Sequence, residues 1–154
     1  MRQAHNRQWD ERVRNSTLCA NCGESGGALA KLLSLKMPTR VLVVEPDVKR
    51  RLTLQRALSP VADVTACGDF HTARQHVLAM PPDLLITNLR LHAYNGLHLV
   101  ALAGSPARAI VCLDPPDPAL ARCVELAGAQ VESPQQVAAT AVSRIGRGVS
   151  VCES

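Results

Sequence analysis

Aromatic residues are nearly missing from this chain: one Trp, one Tyr and one Phe amount to 2% of 154 residues. Leu, Val and Ala must therefore fill its interior, and the scarcity of rings argues against a surface on which nucleic-acid bases could stack. Long apolar runs are missing too. No run approaches the roughly 20 residues that a membrane helix needs. Met1 to Leu18 has no apolar stretch of the kind that marks a secretory signal, so the cytoplasm is the expected compartment and no membrane partner is expected. Charge of one sign is lacking where a core would form. The formal net charge is +4, yet Arg40 to Arg144 carries ten basic and nine acidic residues, against six and three in Met1 to Lys36. That balance gives solubility and a loose attraction to polyanions, not a dedicated nucleic-acid face. Cysteine is present, but Cys67, Cys112 and Cys123 fall inside apolar segments, where reduced, buried thiols are expected and a disulfide framework is not.

The length allows one domain with a substantial core plus a terminal extension. The chain divides near Met37-Pro38, giving an extension over residues 1–37, a domain over 38–147 and a tail over 148–154. Gln3 to Asn15 is strongly polar, and Cys19 to Gly27 is turn-forming. Ala28 to Lys36 places Leu29, Leu32, Leu33 and Lys36 at helical spacing, a short amphipathic helix in an otherwise loosely ordered segment. Met37-Pro38-Thr39-Arg40 also reads as an alternative start of the gene product.

From Arg40 the periodicity switches regularly. Val41 to Val44 is a short apolar run bounded by charge, as a central parallel strand should be. Asp47 can cap a following helix whose face runs through Val48, Leu52, Gln55 and Leu58-Ser59 with Leu54 beside it, and Pro60 stops it. Val61 to Cys67 alternates like a strand near a sheet edge, and Gly68-Asp69 opens a helix with Ala73 and Val77 inward, closed by Pro81-Pro82. Leu84 to Ile86 is a third strand, followed by a helix over Gly96 to Ala103 that offers Leu97, Val100 and Ala101 to the core. Ala109 to Leu113 gives a fourth strand, Pro118 to Leu126 a helix, and Gln130 to Glu132 a fifth strand. Gln135 to Ile145 closes the series with an apolar face of Val137, Ala138, Ala141, Val142 and Ile145. Repeated strand–helix units of this length predict an α/β fold: a doubly wound, five-stranded parallel sheet with helices on both faces. Its site should lie at the carboxyl ends of the strands, where Glu45-Pro46-Asp47 and Asn88 fall.

Three pieces of sequence carry a resemblance: Arg40 to Asp47 (RVLVVEPD), Pro82 to Leu91 (PDLLITNLRL) with Asn95-Gly96, and Ala127-Gly128-Ala129. In order and spacing, Arg40 to Ile145 resembles the response-regulator receiver domain of bacterial two-component signalling. The resemblance implies an acidic pair after the first strand, which holds magnesium together with a phosphoryl-accepting aspartate at the end of the third. Glu45 matches the first acid, but Pro46 stands at the second and Asp47 comes one residue late. Asn88 matches the phosphoacceptor, and its neutral amide accepts hydrogen bonds without being a carboxylate nucleophile. Asp114 occupies the place of the Ser or Thr that follows the phosphoryl group, where a carboxylate repels phosphate. Ser133-Pro134 stands where the family has Lys-Pro, so the cationic clamp is absent. His92 replaces a proline, and Gly128 to Pro134 is shorter than the family pattern. Together these changes predict a degenerate pocket of Glu45, Pro46, Asp47, Asn88, Asp114 and Ser133, and a pseudo-receiver that is not an enzyme.

Other readings of the same residues stay open. Glu45, Asn88 and Asp114 fit polar residues that satisfy backbone groups at the open end of the sheet. Glu45, Asp47 and Asp114 also have the oxygen chemistry for a magnesium ion, although no spacing demands one, and a small ligand could use the crevice. Cys19 and Cys22 are the only pair at zinc-ligand or redox spacing, but no second pair follows. Arg50, Arg51 and Arg56 read as the solvent face of the first helix or as contacts for an acidic partner; His71 and His76 read as a wet helix face, and Tyr94 as an exposed anchor for protein contact.

The function expected is a signalling module that binds another signalling protein or a second copy of itself. The resemblance implies the face made by residues 118–145, where Ala119, Ala121, Val124, Ala138 and Ala139 would allow close helix contact. Two competing readings are a phosphorelay receiver that uses an unconventional residue and an adaptor whose extension, Met1 to Lys36, binds the partner.

Overall fold

The computed structural model describes residues 37–104 and 108–147. The amphipathic segment Ala28 to Lys36, the Cys19 and Cys22 pair and the tail 148–154 lie outside the described residues. Among the described residues no helix is long and apolar enough to cross a membrane.

The elements follow the periodicity of the sequence. β1 (Arg40–Val44) is buried along four of its five residues. α1 (Val48–Leu58) begins where the Arg50 N–H donates to Asp47 Oδ1 at 2.8 Å, which satisfies an amide that the first helical turn leaves unpaired. β2 (Asp63–Cys67) leads to α2 (Phe70–Ala79), which Asp69 caps by accepting from the Thr72 N–H at 2.9 Å. β3 (Leu84–Asn88) runs into a small hairpin, β4 (Arg90–Leu91) and β5 (Tyr94–Asn95), which the sequence pattern did not announce. α3 (Leu97–Leu102) and β6 (Ala109–Cys112) come next. α4 (Pro118–Leu126) is capped by Asp117, with Pro118 in the first turn where its missing N–H costs nothing. β7 (Gln130–Glu132) and α5 (Val137–Arg147) complete the described chain.

The main sheet is parallel throughout in the order β2-β1-β3-β6-β7, so the winding direction reverses between β1 and β3. Side chains alternate across it and feed two cores. Leu42, Val44, Leu85 and Val111 meet Val77, Leu99 and Val124 from α2, α3 and α4. Val41, Val43, Ile86 and Ile110 meet Leu54 and Leu58 from α1, and Val137, Ala141 and Ile145 from α5. Burial on both faces explains why β1, β3 and β6 read as unbroken apolar runs. Each fully buried Val, Leu or Ile contributes about 1.5–3 kcal/mol of transfer free energy.

Four expectations need correction, two of them from periodicity. On α1 the buried residues are Leu54 and Leu58, while Val48 and Leu52 are 56% and 44% exposed. Two positions on a helix lie about 200° apart, so a face through Leu54 turns Leu52 outward. On α3, Leu99 and Val100 are buried and Ala101 is exposed. Cys67 and Cys112 are buried as expected, whereas Cys123 is exposed. Its neighbour Val124 takes the inward position on α4 and is not available to a partner.

Candidate functional site

The reversal of winding between β1 and β3 opens a crevice at their carboxyl ends, and Glu45 and Asn88 stand on either side of it. Glu45 follows β1 and is only 4% exposed, and its N–H extends the β1–β2 ladder to the Cys67 carbonyl at 3.1 Å. A buried carboxylate needs donors. Asn88 supplies one: its Nδ2 lies 3.2 Å from Glu45 Oε2 and 3.4 Å from Oε1. The Asp47 N–H donates to Oε1 at 3.1 Å. The Asn88 amide is oriented from its other end, since Oδ1 accepts from the Arg90 N–H at 2.9 Å. Turning the amide over would set its oxygen against the Glu45 carboxylate and break both contacts.

Gly96 holds this arrangement from behind. A Cβ there would lie 2.3 Å from the Asn88 carbonyl oxygen and 3.0 Å from Thr87 Oγ1, so only glycine permits the approach. The β4–β5 hairpin that links Asn88 to Gly96 turns at His92 with φ of 56°, a value closed to proline. That accounts for one departure from the receiver pattern. The hairpin carries Tyr94, which stacks on Phe70 with ring centroids 4.5 Å apart and planes 8° from parallel. His71 meets Tyr94 edge to face at 5.0 Å.

The remaining predicted residues are engaged elsewhere. Asp47 does not turn its carboxylate inward, because that group caps α1. Pro46 contributes its carbonyl, which together with the Glu45 carbonyl accepts from Arg51 Nη1, at 3.4 and 2.7 Å. Asp114 is joined to Pro115 by a cis peptide bond and forms an ion pair with Arg50, Oδ2 to Nη2, at 2.6 Å. The hydrogen bond to Asp114 raises the Arg50 pKa above its ordinary value and outweighs desolvation, which lowers it, while the charges of Asp114, Glu45 and Asp47 add smaller upward pushes. Ser133 lies at the start of α5, where its carbonyl accepts from the Gln136 and Val137 N–H groups and its hydroxyl faces Gln136 Oε1 at 3.4 Å. No hydrogen bond joins it to Glu45, Asn88 or Asp114.

Arg50 and Arg51 both reach the strand ends: Arg50 is exposed and meets an acid, as its place on the solvent face allowed, whereas the half-buried Arg51 turns to the Glu45 carbonyl, a contact the sequence reading did not include. A signal for them exists. Lys49, Arg50 and Arg51 crowd the first turn of a helix that has no acid there, against the positive end of the helix dipole. Cations at that place need carboxylates or carbonyls nearby to hold them, and the strand ends provide both.

These residues do not fit the magnesium of an active receiver. One carboxylate is satisfied by an amide and a backbone N–H, a second caps a helix, and the third is neutralised by arginine. Among the described residues no three His, Cys, Asp or Glu side chains come together as a metal site.

The chain matches no protein-family model, and no curated protein matches it in sequence. Solved structures do match. One is the signal receiver domain of a Vibrio parahaemolyticus protein described as a Luxo repressor, at 16% identity and a TM-score of 0.62, over 73% of this chain and 94% of that one. The chemotaxis response regulator CheY4 of Vibrio cholerae matches at 15% identity and a TM-score of 0.58, over 71% and 99%. The receiver domain of Francisella response regulator 1452 matches at 13% identity and a TM-score of 0.61, over 71% and 98%. Identity this low speaks to architecture, and the architecture is that of a response-regulator receiver domain.

Proposed function

We propose that this chain is a signalling module of receiver type that acts by protein contact and does not take up a phosphoryl group on aspartate. One observation carries this reading: the side chain at the phosphoacceptor position is an amide whose Nδ2 is spent on Glu45 and whose Oδ1 is spent on the Arg90 N–H. An amide has no carboxylate oxygen with which to attack phosphorus. Arg50 pairs with Asp114 and feels the charge of Glu45, so the exposed side of the strand ends carries a cation of the protein's own, which supports this reading. The crevice then has one stable arrangement, and the module is a fixed docking unit.

For the docking face, residues 118–145 remain the choice. Leu126 is 75% exposed and Val142 38% exposed, and Ala119 and Cys123 of α4 and Ala139 of α5 are also open to solvent. The partner is a second signalling protein or a second copy of this chain.

The test is to incubate the full chain with acetyl phosphate, with and without magnesium, and to read its intact mass. The expected result is no stable gain of a phosphoryl group. Magnesium-dependent uptake would overturn the reading and favour a phosphorelay receiver that uses another residue.

A further inference from the structure

A recess separate from the Asn88 amide opens between α1 and α5, and nothing in the fold fills it. Its volume is about 320 Å³, at the lower end of the range that small-molecule sites occupy. The deep wall is apolar: Leu54, Cys112 and Val137 are buried and Ala138 half-buried. Burial, with the charges of Glu45 and Glu132, pushes the Cys112 thiol up to about 12, so this wall carries no charge at neutral pH. The outer rim is cationic, formed by Lys49 and Arg50.

The arrangement of charge selects the ligand. Glu45 lines the recess from a buried position, only 4% exposed, and would repel an anion beside it, so a negative group belongs at the exposed rim. At the rim Arg50 is drawn to Asp114, whereas Lys49 has no carboxylate partner among the described residues. Gln135 adds an exposed side-chain amide with two donors. A neutral apolar molecule would leave Lys49 unused, and a compact hydrophilic anion would leave the apolar wall wet.

We propose that the recess between α1 and α5 binds a small organic anion with a compact apolar body, the body against Leu54, Cys112, Val137 and Ala138 and the anionic group on Lys49. This inference does not depend on whether the chain can be phosphorylated. Glu45 lines the recess and also holds Asn88, so occupancy of the recess is transmitted to the crevice through one side chain.

The probe is 2-naphthalenesulfonate, with 2-naphthalenemethanol as its neutral counterpart, each titrated into the isotope-labelled full chain and followed by amide chemical shifts. Saturable shifts are expected at Thr53, Leu54, Gln135, Val137 and Ala138, and at the Asn88 side-chain amide, with a dissociation constant on the order of a millimolar or tighter for a ligand of this size. Lys49→Glu lies on an exposed helix face and should leave the fold intact while weakening sulfonate binding by roughly tenfold, with little effect on the alcohol. Ala138→Leu should fill the recess and weaken both. Absence of saturable shifts at these amides up to about 5 mM probe would overturn the proposal. So would shifts confined to the Phe70–Tyr94 stack, or sulfonate binding that Lys49→Glu leaves unchanged.

Discussion

Glu45 and Asn88 meet at 3.2 Å inside the protein, while Arg50 and Asp114 meet at 2.6 Å with side chains 44% and 38% exposed. The shorter contact is the weaker one. In water, the attraction between opposite charges is screened and offset by the entropy of holding two long side chains. Inside, a carboxylate deprived of its donors retains the whole cost of its lost hydration. The two halves of the crevice therefore do different work: the buried half fixes the fold at the strand ends, and the exposed half sets the charge seen from outside.

The sharpest way to break the buried half is Asn88→Asp, which places a second carboxylate against Glu45. We expect a loss of about 2–4 kcal/mol at neutral pH. The pH dependence has a definite sign. Repulsion raises the upper pKa of the pair in the folded state, so the folded chain binds more protons than the unfolded one above the ordinary carboxylate range. Melting temperatures of variant and parent should converge near pH 4, separate as pH rises toward 7, and approach each other partly when magnesium replaces chelator. Equal stability at pH 7 in chelator would mean that Glu45 does not feel position 88.

Gly96→Ala attacks the same half through space alone, since the new Cβ would meet the Asn88 carbonyl oxygen at 2.3 Å. A backbone shift costing about 1–3 kcal/mol is expected, and denaturant melts without any pH dependence between 5 and 8 would separate this steric effect from the electrostatic one. Asp47→Ala removes a cap on the exposed side and should cost about 1 kcal/mol. A larger loss would show that Asp47 contributes to the crevice beyond its hydrogen bond to Arg50. Asp114→Ala should be the smallest change, a melting temperature indistinguishable from the parent's and insensitive to added salt. A clear destabilisation there would erase the contrast between the two halves.

The sequence exposed the fold more readily than the site because the two are written in different signals. Unbroken apolar runs at β1, β3 and β6 require a sheet covered on both faces, and Asp47, Asp69 and Pro118 mark helix starts by local chemistry. Such signals lie within a few residues of what they specify. The crevice joins Glu45 to Asn88 across 43 positions and Arg50 to Asp114 across a longer span, and no local pattern states which cation reaches which acid. Asn88 and Glu45 were readable because strand ends converge; the roles of Arg50 and Arg51 were not, because a basic helix face looks the same in sequence whether it meets solvent or a strand end. The hairpin over β4 and β5 was missed for a similar reason. Two-residue strands have too few positions to show a period.

The stack of Phe70 on Tyr94 has a spectroscopic consequence. The chain has one tyrosine and one phenylalanine, and both are in that stack. The tyrosine bands of the near-ultraviolet circular dichroism, read apart from the longer-wavelength band of Trp9, therefore report on a single place, the contact between the β4–β5 hairpin and the start of α2. Far-ultraviolet signals report on every helix at once. Recording both along a denaturant gradient tells whether the hairpin that follows Asn88 lets go before the domain unfolds, with no label introduced and no residue changed.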